Sequence, residues 1–219
     1  TVNKVRTPLK ATDFSSYIAP VLNSGADVLV LNHYGGNMVN SLTNAVQFGL
    51  RDKVVNNKNF EIIVPLYSRL MAKGAGANVK GIFGSTNWHW SLQDEGSKAF
   101  VKSFGTKYGF PPSQAAHTVY CQTLLYADAC NRAGTFNPCG VGEALEGFEF
   151  DGLGNGKTLY RADDHQCFKD VLVVKGKENP TSEFDLLEIV EVTPMEQVKY
   201  APDHPMFAGG DLGACNPGA

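Results

Sequence analysis

Residues 26–50, ADVLVLNHYGGNMVNSLTNAVQFGL, constrain the fold more than any other stretch of the chain. The apolar run 28–31 has the length and β-branched content of a buried strand. It stops at a polar aromatic loop, Asn32, His33 and Tyr34, after which Gly35 and Gly36 open a new segment. In that segment Met38, Leu42, Ala45, Val46 and Leu50 recur at helical spacing. A strand, a turn and a helix therefore follow one another, with polar and aromatic groups at the carboxyl end of the strand. Open α/β sheets bind their ligands at that place, so the segment points to a small-molecule site as well as to a fold.

The flanking sequence extends the alternation. A short strand is expected over 2–6, and Asp13 opens a helix through Ser15, Tyr17, Ile18, Val21 and Leu22 that ends at Gly25. Asn56, Asn57 and Asn59 mark a turn before a strand over 60–65. Ser68 begins a short helix through Leu70 and Met71, broken by Gly74 and Gly76, and 79–84 reads as a further strand. Repeated strand–helix alternation implies a parallel sheet with right-handed crossovers.

Past the polar aromatic connector 85–90 the character changes. A helix is expected over about 92–108, ended by Pro111 and Pro112, then a long helix over 113–133 and another over 140–145. Residues 148–156 form a Gly-rich turn region, 171–175 and 186–192 are strand-like, and the tail from Pro194 is expected to wrap over the surface. The block 90–160 is mostly helical and has no complete sheet of its own in this reading. The apolar faces around Phe100, Phe104, Leu124, Leu125 and Ala129 then need cover, and the last strands are free to return to the first block.

Composition narrows the function. The 219 residues allow one large or two modest domains, and an apolar fraction of 43% is ordinary for a globular protein. A formal charge of −3, with Lys102 and Lys107 standing apart, argues against nucleic acid, because phosphate binding needs clustered cations. No apolar run approaches the roughly 20 residues that span a bilayer. The five cysteines form no C-x-x-C pair, which disfavours a zinc or thioredoxin-like site. Cys121 reads as a buried small hydrophobe. Cys167 with Cys215, or Cys130 with Cys139, are candidate disulfides, and a fully reduced chain is the alternative. No Gly-x-Ser-x-Gly, His-Glu-x-x-His or Walker loop occurs, and the histidines show no triad spacing. The reading therefore assigns no catalytic residue, metal or cofactor.

Several motifs in order carry a family resemblance. They are Asp13-Phe14 before a helix, Ala26-Asp27 before a strand, and a helix ending Gln47, Gly49, Leu50. HTVYCQTLLYADACNRAGT (117–135) and RADDHQCFKDVLVVKGK (161–177) follow. This order resembles the later part of type I periplasmic solute-binding proteins of ABC transporters, the leucine/isoleucine/valine-binding group. The resemblance implies an α/β fold: a Rossmann-like parallel sheet lobe plus the helical part of a second lobe, truncated at the N-terminus. The implied organisation is 1–87 as the ligand-binding lobe, 88–167 as the mostly helical part of the first lobe, and 168–219 as closing strands and tail. It also implies a signal-directed periplasmic location, a small organic solute, an ABC permease in the inner membrane, and a first-lobe segment of the same polypeptide that is missing here. A ligand-sensing receptor or regulator of the same fold and an α/β enzyme are the alternatives.

In such proteins the ligand sits in a cleft between lobes. The resemblance assigns ligand contact to Tyr34 and His33 in the loop after the strand, and Gly35 lets the backbone approach an anionic group at the helix start. Leu66 and Tyr67 stand where amino-acid-binding relatives carry an acidic partner for the ligand ammonium. An unpaired buried ammonium is costly, so the departure favours an aromatic or aliphatic carboxylate over a branched-chain amino acid. Trp88, with His89 and Trp90, falls at the expected crossover, where it is either a cleft wall that stacks on a planar ligand or part of the packing between lobes; Tyr120 is a candidate contact from the opposite lobe, although its place in the helix fits core packing better. Asp163, Asp164 and His165 resemble a metal or acid/base cluster but fit a hydrogen-bonded turn better.

Overall fold

The strands begin where apolar alternation begins and the helices where a polar side chain accepts the first free N–H. The computed structural model describes residues 2–205 and Cys215. In chain order its elements are α1 (Ser15–Ile18), β1 (Val28–Val30), α2 (Gly35–Gln47), β2 (Val54–Val55), β3 (Lys58–Asn59), β4 (Glu61–Val64), α3 (Arg69–Ala75) and β5 (Phe83–Thr86). They continue with α4 (Glu95–Tyr108), α5 (Gln114–Ala133), α6 (Pro138–Leu145), β6 (Glu149–Phe150), β7 (Thr158–Tyr160), β8 (Cys167–Phe168), β9 (Val171–Gly176), β10 (Leu187–Thr193) and α7 (Met195–Val198). The chain divides into two units, Thr1–His89 with Leu172–Val192, and Trp90–Val171 with Thr193–Ala219. No described helix is long and apolar enough to cross a membrane.

The first unit is built on a five-stranded sheet of order β1-β4-β5-β9-β10. β1, β4 and β5 run parallel, and β9 runs antiparallel to β5. Side chains alternate across a strand, and the register places Val64 beside Gly84, Gly84 beside Val174, and Thr86 beside Leu172. Ile62, Val64, Leu172 and Val174 are buried on that face. Met38, Leu42 and Ala45 on α2, with Leu50 beyond its end, are fully buried at the spacing seen in the sequence. Met71 and Ala72 on α3 complete this core. Ser68 caps α3 by accepting from Met71 N–H at 3.1 Å. β9 and β10, expected as a closing segment, are part of this sheet.

The second unit is helical around α4, α5 and α6. Asp94, Ser113 and Asn137 cap them in turn, accepting from Ser97, Ala116 and Cys139 N–H. α5 and α6 pack through Ala129, Cys130 and Val141. Of the faces expected to need cover, Phe100, Leu125 and Ala129 are buried, while Leu124 is exposed.

Four expectations are corrected. No strand forms over 2–6 among the described residues, where every residue is exposed, and a strand without a ladder partner is not stable alone. The strand expected over 79–84 is displaced to Phe83–Thr86, because a turn closed by Ile82 N–H on Val79 O and a positive φ at Gly81 precede it. The second unit has a sheet of its own, antiparallel β6-β7-β8, and β6 lies within the expected Gly-rich turn. The disulfide joins Cys139 to Cys215, with Cα atoms 5.5 Å apart. Neither pairing suggested by the sequence forms, since Cys121, Cys130 and Cys167 are free thiols.

Candidate functional site

Because β1, β4 and β5 are parallel, the loops after all three leave the sheet at one edge. His33, Tyr34, Gly35, Leu66, Tyr67 and Trp88 all fall on those loops or just beyond them. Tyr120 belongs to α5 of the second unit, where its ring stacks on Phe100 at 4.6 Å.

The loop after β1 is held by His33. Its Nδ1 lies 2.8 Å from Ser41 Oγ and its Nε2 3.0 Å from Thr7 Oγ1. Ser41 Oγ also lies 3.2 Å from Met38 O, to which it donates its proton. Ser41 therefore accepts from Nδ1–H, and Thr7 donates to the bare Nε2. Partial burial lowers the His33 pKa, which favours the neutral ring. The ring also packs on Phe14 at 4.8 Å. His33 thus fixes the loop from both sides.

Tyr34, by contrast, is 55% exposed. It occupies the cap position of α2 in an extended conformation, and no side chain caps the helix. Gly35 follows with φ +58°, a left-handed conformation that side-chain-bearing residues rarely adopt. The first N–H groups of a 13-residue helix therefore have no side-chain cap beside an exposed phenol ring. A helix start of this kind favours a carboxylate or another anion.

After β4 two neighbouring residues part company. Leu66 is 65% exposed and Tyr67 is 1% exposed. Tyr67 N–H donates to Ser85 O at 2.8 Å, and the Ser85 hydroxyl donates to Pro65 O, so the β4 and β5 loops are tied together. Gly84 makes room for the Tyr67 ring: a Cβ there would sit 2.6 Å from Tyr67 Cβ. Burial raises the Tyr67 pKa, and its hydroxyl has no hydrogen-bond partner among the described residues. Past β5, Trp88 is also fully buried, and its carbonyl accepts from Thr86 Oγ1 at 3.2 Å.

Beneath this edge lies a buried polar group that sequence reasoning missed in part. Arg69, the first residue of α3, is buried with its guanidinium 5.3 Å from the Phe184 ring centroid. His89 is buried and held at about 4, chiefly by burial and then by the Lys177 charge. Lys177 pairs with Asp185 at 2.5 Å, and Thr181 donates to the same carboxylate at 2.7 Å. The only sequence signal for Arg69 is a cation immediately after the cap Ser68 at the start of an apolar helix. Its ring partner, Phe184, lies far along the chain. No acidic residue occupies the loops 31–34 or 65–68.

Two other places fit the site less well. A cavity of about 340 Å³ opens at the opposite, amino-terminal edge, beside Arg51, Glu61, Lys80, Phe83, Lys175 and Glu178. Its charges are mixed, and Lys80 already pairs with Glu178 at 2.7 Å. In the second unit Asp164 pairs with Arg161 at 2.5 Å and His165 contacts Glu146 at 2.9 Å, which is the hydrogen-bonded turn expected there. The described residues contain no cluster of His, Cys, Asp and Glu able to hold a metal ion.

Comparison with known proteins places these features in a wider setting. A family model described as periplasmic binding protein matches residues 1–181. A branched-chain amino acid ABC transporter periplasmic ligand-binding protein from Burkholderia xenovorans LB400 superposes with a TM-score of 0.72 at 27% identity, over 90% of this chain and 51% of that one. An amino acid ABC transporter substrate-binding protein from Pseudomonas fluorescens Pf-5 does so with 0.74 at 23% identity, over 86% and 50%. A solute-binding protein of an ABC transporter from Rhodopseudomonas palustris HaA2, in complex with p-hydroxybenzoic acid, reaches 0.75 at 17% identity, over 89% and 52%. The chain spans about half the length of these structures. No curated protein sequence matches it.

Proposed function

This chain belongs to the periplasmic binding protein family, and from that premise we propose that it acts as part of the solute-binding component of an ABC importer. The family and its structural neighbours are solute-binding proteins rather than enzymes. Binding takes place by closure of two lobes around a small organic solute, a hinge motion, in the periplasm. The closed form then docks on a permease in the inner membrane. The first unit supplies one wall of the cleft through Tyr34, Gly35, Leu66 and the loop anchored by His33. Tyr67 and Trp88 shape that wall from beneath.

One observation carries the ligand class. The exposed edge combines an uncapped helix start at Gly35 with two loops that hold no carboxylate. A helix start attracts an anion, while a free ammonium would find no acid in either loop and would lose its hydration without compensation. The solute is accordingly an aromatic or aliphatic carboxylate, with a branched-chain amino acid as the weaker candidate. The p-hydroxybenzoic acid complex of the Rhodopseudomonas protein supports this reading at the level of the fold.

A thermal-shift series tests it. Benzoate and p-hydroxybenzoate are compared with leucine, isoleucine and valine at equal concentration. A ligand at 100 times its Kd stabilises the native state by about 2.7 kcal/mol, so the aromatic acids are expected to raise the melting temperature and the amino acids are not. Stabilisation by the amino acids alone would overturn the carboxylate class. No stabilisation by either class would overturn solute binding by this chain.

A further inference from the structure

The sheet of the first unit is buried on one face only. Parallel sheets are as a rule covered by helices on both faces. Right-handed crossovers from β1 to β4 and from β4 to β5 step in one direction along the strand order, which puts α2 and α3 on the same side. The face beneath them carries Ile62, Val64, Leu172 and Val174, all buried. Alternate positions point the other way. There the register sets Val30 beside Ile63, Ile63 beside Phe83, and Phe83 beside Lys175. β4, β5 and β9 each alternate strictly between buried and partly exposed residues, with Ile63, Phe83 and Lys175 on the partly exposed side. Val28 and Val30 of β1 are 40% and 50% exposed. The Lys175 ammonium lies across the Phe83 ring, 4.8 Å from its centroid. An apolar face of a largely parallel sheet thus stands open to solvent.

We propose that this face is the docking surface for two amphipathic helices supplied by a part of the same polypeptide outside these 219 residues. Size, direction and length commit to that occupant. Five strands about 4.8 Å apart make a face roughly 20 Å wide, and a helix with its side chains is about 10 Å across, so two helices lie side by side on it. β1 stands at one end of the strand order. Strands added beyond it by right-handed crossovers step the opposite way, and their helices fall on the opposite, open face. The chain spans about half the length of the structures that superpose on it, so a polypeptide of that length has ample sequence for such a layer. A second copy fits less well. The face measures roughly 300 Å² in plan, against roughly 800 Å² per partner in a stable interface. An attached segment needs no such area, because it is held at high effective concentration. The cover belongs to the first unit itself and does not depend on which solute the protein binds.

The test compares the 219-residue chain with the full product of its gene, both wild type, by hydroxyl-radical footprinting read by mass spectrometry. Oxidation of Val30, Ile63 and Phe83 is expected to fall several-fold in the gene product. Leu70, 54% exposed on α3 at the far side of the same unit, is expected to oxidise equally in both. Equal oxidation of the three face residues in the two proteins would overturn the proposal. So would a gene whose product is these 219 residues alone. Light scattering on the 219-residue chain covers the remaining occupant: a dimer in which Val30, Ile63 and Phe83 are already protected would assign the face to a second copy and overturn the attached segment. Val30→Asp gives an independent reading. It is expected to lower the melting temperature of the gene product more than that of the 219-residue chain, and equal shifts would count against the cover. The wild-type footprint decides the question even where the variant does not fold.

Discussion

His89 and His117 are the two fully buried imidazoles, and both are held neutral. Burial is the main cause for each, and the pKa falls to about 4. His117 Nε2 lies 2.7 Å from Leu153 O, to which it donates, an interaction that raises the pKa and only partly offsets burial. A histidine whose folded pKa is depressed binds fewer protons in the native state than in the unfolded chain. Its contribution is therefore complete above the ordinary value near 6.5 and is lost as pH falls toward 4. The loss is on the order of 3 kcal/mol for each residue. Urea denaturation at stepped pH is expected to show stability falling across that window, with a shallower slope in His117→Gln. Equal slopes in the two proteins would contradict the assignment. Gly84 carries a second expectation at this scale. Added volume there meets the Val64 carbonyl and Tyr67, neither of which has room to move. Gly84→Ala is expected to cost about 1–3 kcal/mol in the same assay, and an unchanged midpoint would show that Tyr67 is not locked against β5. The residue scale was also the least legible in the sequence. Neither the two hydrogen bonds of His33 nor the burial of Tyr67 and Trp88 follows from local pattern, because Thr7, Gly84 and Ser85 lie elsewhere in the chain.

Secondary-structure elements were far more legible, for a local reason. Ser68 and Ser113 cap helices where the sequence places a Ser before an apolar periodic run, and Met38, Leu42 and Ala45 line α2 at its expected spacing. These signals operate within one or two turns. Strand limits depend on the neighbouring strand, and so the strand expected at 79–84 moved to Phe83–Thr86, while 2–6 has no ladder at all among the described residues. The Cys139–Cys215 link, 76 residues apart, depends on the tertiary path alone. Asp94 shows how much one cap holds. Its carboxylate accepts from Ser97 N–H and Ser97 Oγ, each at 2.8 Å, and from Asn155 N–H at 3.4 Å. Asp94→Ala is expected to cost about 1–2 kcal/mol, and more than Ser113→Ala, whose side chain accepts from Ala116 N–H at 3.2 Å. Equal losses in the two variants, compared by thermal denaturation, would mean that the Asn155 contact adds nothing.

At the scale of the molecule, the parallel order β1-β4-β5 is what gathers residues from three separate stretches at one edge. That edge holds an exposed tyrosine, an uncapped helix start and no acid in the loops after β1 and β4. The strand–loop–helix at 26–50 made this edge visible in the sequence, and Leu66 and Tyr67 carried the argument about the ligand. The buried Arg69, His89 and Asp185 beneath it became visible only in the fold. The most direct measurement is a backbone amide NMR titration of the chain with p-hydroxybenzoate. A carboxylate site at this edge predicts saturable shifts of the Tyr34, Gly35 and Gly36 amides, with no comparable response to leucine. Shifts confined to other residues, or produced by leucine and not by the aromatic acid, would contradict it.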